Sequence, residues 1–159
     1  MDKEITEITE SLKIHSNELA KLGSELSEIQ FNYKVLDKTD HTYWEKRVDD
    51  FKKYHDKGME YYKKIHSMMS LVEKDEAGMF LLRISKLHQL GDKLFELLGE
   101  VKENPNIMSS KDKQQSKWSK ELKEQLIEQS NKTLHHEMDM NANFREFYEK
   151  HLKKLLEDQ

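Results

Sequence analysis

The chain has 159 residues, 36% of them charged and 35% hydrophobic, with a formal net charge of −4 and no cysteine. Without cysteine there are no disulfides, thiolate zinc sites or cysteine nucleophiles, and the mildly acidic balance gives no expectation of nucleic-acid binding. The apolar fraction is low for a globular domain, yet six Phe, six Tyr, two Trp and only one Pro, set in a strongly periodic pattern, describe long amphipathic helices rather than a disordered chain.

The N-terminal "MDKEITEITESL" is acidic and lacks an apolar core region, so a signal peptide is not expected. No run approaches the 18 apolar residues of a membrane span. The expected location is cytoplasmic, with leaderless export left open.

The first helix is predicted over 2–37. Its stripe is Ile5, Ile8, Leu12, His15, Leu19, Leu22, Leu26, Ile29, Tyr33 and Leu36, a 3-4 alternation broken chemically only by the histidine. Asp2, Glu4 and Glu7 suit the positive end of the helix dipole. "KTDHT" interrupts the pattern, and Thr42 with Glu45 forms a capping box for a second helix over 42–74. Its stripe is Trp44, Val48, Phe51, His55, Gly58, Tyr62, Ile65, Met69 and Val72. A short connection makes the two helices an antiparallel hairpin, and counting outward from the loop sets His15 opposite Ile65 and Leu12 opposite Met69.

The step Val72, Glu76, Phe80, Ile84 keeps a spacing of four, as in a stutter within one continuous helix. The alternative is a break near Gly78 that opens a separate helix over 77–103. Continuity is the favoured expectation. "ENPNIMSS" is a clear break, with Pro105 ending one helix and Ser109 or Ser110 capping the next. A last helix is predicted over 110–157, with Trp118, Leu122, Leu126, Leu134, Met138, Phe144, Tyr148, Leu152 and Leu155 as its apolar set. The expected fold is all-α: one domain over 1–159, an elongated antiparallel bundle with coiled-coil-like heptad packing. It has three long helices, or four if the middle one breaks near Gly78.

Eight histidines call for a test of metal binding. None has an acidic residue three positions before it, as the Glu-x-x-His sites of di-iron bundles require. "HHEMDM" lacks the second histidine of a zinc protease. His135 and Asp139 share a helix face and form a weak candidate pair, but two ligands are not a site, and no metal or other cofactor is expected. Glycine-rich phosphate loops and Gly-x-Ser-x-Gly are absent, and the carboxylates are spread over solvated faces. No enzymatic activity is expected.

Tyr54, Tyr61, Met68 and Met69 flank or sit on the second stripe and are the candidate partner surface, because tyrosine and methionine suit adaptable interfaces. The competing possibility is that the last helix covers them. His15 and His55 are candidates for fixing register or for sensing pH through burial. Lys111, Lys113, Lys117, Lys120 and Lys123 surround Trp118, but Glu121 and Glu124 dilute that charge, so anionic-membrane contact is not favoured.

The expected function is a non-enzymatic protein-interaction module, an adaptor, chaperone or regulator that binds a protein partner or self-associates. The alternative is a metal- or ligand-binding bundle using His and Met. The Lys-, Glu- and Asn-rich composition suits a bacterial or phage origin.

Overall fold

The computed structural model describes residues 2–30, 41–103 and 117–154, and all of these except Glu73 are helical. Helix α1 is Asp2–Gln30, α2 His41–Val72, α3 Lys74–Glu103 and α4 Lys117–Phe147, followed by a π-helical turn at Tyr148–Leu152. The expected extensions over 31–37, 110–116 and 155–157 lie outside the described residues.

The favoured continuous middle helix is not what forms, and the break falls at Glu73 rather than near Gly78. The Glu73 N–H donates to the Met69 carbonyl at 2.7 Å and closes α2, while its own carbonyl accepts from Ala77 N–H at 3.0 Å and opens α3. Its side-chain Oε1 accepts from the Asp75 N–H at 3.3 Å, so Glu73 caps the new helix. Asp75 and Glu76 then place negative charge in the first turn, where the dipole favours it. The chain reverses here: Tyr62 packs on Phe80 with ring centroids 6.2 Å apart, and Phe51 on Phe95 at 5.0 Å. One straight helix would hold the last pair more than 60 Å apart at about 1.5 Å per residue. Gly78 lies inside α3 and is exposed.

Helix α1 runs antiparallel to α2, in a register about one helical turn from the expected one. His15 faces Tyr61 at 5.9 Å between rings, rather than Ile65. Lys57 pairs with Glu18 at 2.5 Å, and Lys64 donates to Ser11 Oγ at 3.0 Å. Two stripes with the same 3-4 spacing match again after sliding one turn, so apolar periodicity leaves the register degenerate and the polar flanks select it.

Helix α4 is antiparallel to α3, with Gln129 Nε2 donating to the Leu90 carbonyl at 3.2 Å and His136 Nε2 2.8 Å from the Arg83 carbonyl. It runs parallel to α2. One apolar cluster draws on all four helices, with Leu12, Ile65, Phe80 and Met140 among its members. A second joins α2, α3 and α4 around Trp44, Leu94 and Leu126. The π turn carries the core side across five residues, from buried Phe147 to buried Leu152, and lets His151 reach Glu76 Oε2 at 2.5 Å.

The inward face of α4 differs from the apolar set read from its sequence. Leu122 and Leu126 are buried, but the face continues through Gln129, Thr133, Glu137 and Met140, while Leu134 and Met138 are 44% and 56% exposed. A helix whose phase is set by two buried leucines carries the positions three and four residues on to the same side, whatever their polarity. The Thr133 hydroxyl is satisfied by the Gln129 carbonyl at 2.9 Å.

Candidate functional site

Of the polar residues on the inward side of α4, Glu137 faces a cleft. Beside α1, a cleft of about 450 Å³ opens between α1, α2 and α4. Tyr54, Tyr61 and Tyr62 of α2 line it with Phe144, Tyr148, Arg145, Asn141 and Glu137 on the α4 side, and Ser16 and Ala20 of α1.

Two hydrogen bonds tie the α2 tyrosines to α4. The Tyr54 hydroxyl donates to Glu137 Oε2 at 2.6 Å, and the Tyr62 hydroxyl donates to Asn141 Oδ1 at 2.9 Å. Glu137 is 8% exposed. Burial pushes its carboxyl up to about 7, opposed by the Tyr54 hydrogen bond; desolvation disfavours a charge with no cation beside it. Burial, and in Tyr54 and Tyr62 the proximity of Glu137, raises the tyrosine hydroxyls well above their ordinary value. Tyr61 is raised by burial, and a hydrogen bond with Ser16 opposes the rise. Tyr62→Phe is expected to cost about 0.5–1.5 kcal/mol, the worth of one net hydrogen bond, read as a lower urea midpoint with unchanged slope.

Tyr54 and Tyr61 both line the cleft. Met68 and Met69 are 0% and 1% exposed inside the first apolar cluster, so they are core and offer no surface to a partner. The cluster that covers them draws on all four helices, not on the last helix alone.

His15 and His55 are both buried but separated, His15 against Tyr61 and His55 in the α2–α3 seam. The His15 Nε2 and both His55 ring nitrogens lack a hydrogen-bond partner. Burial lowers the His15 pKa, with Lys57 and Lys64 adding to the effect and Glu60, 3.7 Å away, opposing it. Burial is also the main cause of the lowered His55 value; His88 adds to it, and Asp56 and Asp92 oppose it. The His55 ring lies against the backbone of Gly91 and is boxed by Phe51, Phe95 and His88.

His135 and Asp139 line a separate groove between α3 and α4, together with Lys86, Lys93, Lys132 and His136. Three lysine ammonium groups line the same groove and disfavour a metal cation there. Among the described residues, no three His, Asp or Glu side chains converge as metal ligands. Lys111 and Lys113 lie outside the described residues, as do the side chains of Lys117 and Trp118; Lys120 is exposed and Lys123 half-buried. No described helix is long and apolar enough to cross a membrane.

Comparison with known proteins adds no relative. No family model, curated protein or solved structure matches the chain.

Glu137 is the functional candidate that the sequence pattern did not single out. Its signal was present: continuing the phase of Leu122 and Leu126 through the weakly apolar "EQSNKT" stretch brings the inward face to position 137.

Proposed function

We propose that the protein is a non-enzymatic helical interaction module that engages a protein partner, or a second copy of itself, through an exposed apolar flank of α4. One observation carries this reading. Ile127, Leu134 and Met138 are 38%, 44% and 56% exposed, and their spacing of seven and four sets them along one side of the helix. Single exposed apolar residues are ordinary, but a row on one helix flank is the form in which helices recognise helices. In this reading the α1–α2 pairing is coiled-coil-like, with its 3-4 stripes as the seam, and the bundle is the rigid support for the α4 face.

The test is the double substitution Leu134→Lys with Met138→Lys. Because both side chains are largely exposed, the melting temperature should stay within a few degrees of the parent. Sedimentation equilibrium should show loss of any self-association, and affinity recovery from the native host should show loss of the partner. A variant that sediments as the parent does and recovers the same proteins in equal amounts would remove this flank from the function.

A further inference from the structure

We propose that the cleft between α1, α2 and α4 binds a small organic ammonium ion, with Glu137 as its counter-charge and the tyrosine rings as its walls. The site is separate from the exposed flank of α4, and either proposal can fail without the other.

Three features of the cleft favour this ligand class. The first is its wall: Tyr54, Tyr61, Tyr62 and Tyr148 surround an open volume of about 450 Å³. Aromatic faces attract alkylated ammonium groups through the ring quadrupole, and they do so best where water is excluded. The second is the carboxylate. Glu137 is almost fully buried, and no Lys or Arg is among the groups that act on its ionisation. A buried carboxylate without a cation is costly, and an entering ammonium offsets part of that cost. The third is how the carboxylate is held. The Tyr54 hydroxyl grips Oε2 at 2.6 Å, and Tyr62 is anchored to Asn141, so the wall and the charge are positioned together.

Other ligand classes fit less well. A hard metal ion needs several oxygen ligands, and the cleft supplies one carboxylate. An anion would face Glu137. Arg145 lies at the rim and is exposed, where water and salt screen its charge.

The lining also determines how binding depends on pH. From α1 come Ser16 and Ala20, which carry no charge. From α2 come three tyrosines whose hydroxyls burial keeps protonated. From α4 come Arg145, Asn141, Phe144 and Glu137, whose carboxyl burial pushes up to about 7, and from the π turn comes Tyr148. No α3 residue lines the cleft. Among the described lining residues, Glu137 is therefore the group that changes charge between pH 6 and pH 8, and a cation requires its ionised form.

Isothermal titration calorimetry of the full chain with choline tests the proposal, because choline keeps its charge at every pH. One-to-one binding is expected at pH 8, about tenfold weaker at pH 6 as the competent, ionised fraction falls. The neutral isostere 3,3-dimethyl-1-butanol should bind at least about tenfold more weakly than choline, and Glu137→Gln should weaken choline binding and abolish its pH dependence. Absence of choline binding at pH 8, equal binding of the isostere, or a wild-type affinity that ignores pH would each overturn the proposal. The wild-type arms need no variant to fold.

Discussion

Glu137→Gln is expected to stabilise the protein by roughly 3 kcal/mol at pH 8 and to leave it nearly unchanged at pH 4.5. Burial holds the Glu137 carboxyl at about 7 in the fold, against 4.5 for an unperturbed glutamate. A raised carboxyl pKa means that the folded state keeps its proton between those values while the unfolded chain releases it. Stability is therefore fully present below about 4.5 and is lost as pH rises through 7. Glutamine retains an oxygen to accept the Tyr54 hydroxyl and carries no charge to desolvate, so it removes the loss. Urea denaturation of both proteins from pH 4.5 to 8 measures the difference. Curves that stay parallel across that range would show that the Glu137 charge costs the fold nothing.

The same titration reports on the histidines, with the opposite sign. The His15 and His55 pKa values are lowered by burial. Their contribution is complete above about 6.5 and is lost as pH falls through that value toward the lowered folded-state values, because the unfolded chain binds the protons first. In the wild type the gain from protonating Glu137 masks part of this loss. The Glu137→Gln variant should reveal it as a steeper fall in stability below pH 6.5.

Gly91→Ala is the second substitution with a large expected effect, a loss of about 1–3 kcal/mol from overpacking. A Cβ at position 91 would collide with the His55 ring, at 2.7 Å from Nε2 and 2.8 Å from Nδ1 with Cε1 closer still. The ring is buried and packs on Phe51 and Phe95, so moving it disturbs the α2–α3 seam. The glycine is needed here for space; its backbone conformation is ordinary, with no positive φ. The cause can be isolated by a double-mutant cycle with His55→Ala. Once the ring is gone the alanine has room, so the pair should show a coupling of about 0.5–3 kcal/mol. Additive losses would place the cost of Gly91→Ala elsewhere. By contrast, a Cβ at Gly78 or Gly99 meets nothing within 4 Å, so these positions serve as controls.

The helices were legible in the sequence because their signals are local. The 3-4 spacing of Ile5, Leu12 and His15 and of Phe51, His55 and Tyr62 marks the inward side of α1 and α2, and all six are buried. An amphipathic stripe is a property of one segment's backbone period, so it needs no knowledge of what the stripe packs against. Two of the four tyrosines that line the cleft, Tyr54 and Tyr61, are legible in the same way, as residues flanking the α2 stripe.

What only the tertiary structure decided depends on relations between segments. The one-turn displacement that places His15 against Tyr61 follows from the Glu18–Lys57 and Ser11–Lys64 pairs, and repeated stripes cannot express it because they match themselves after each turn. The reversal at Glu73 follows from one side chain capping the next helix, while the spacing across it imitates continuity. Met68 and Met69 are core because all four helices converge around them. Glu137 is inside, and Leu134 and Met138 outside, because Leu122 and Leu126 lock the phase of α4. Hydrophobicity alone orders those positions the other way. The phase of one helix, fixed by its packing, buries a carboxylate and exposes the apolar residues beside it.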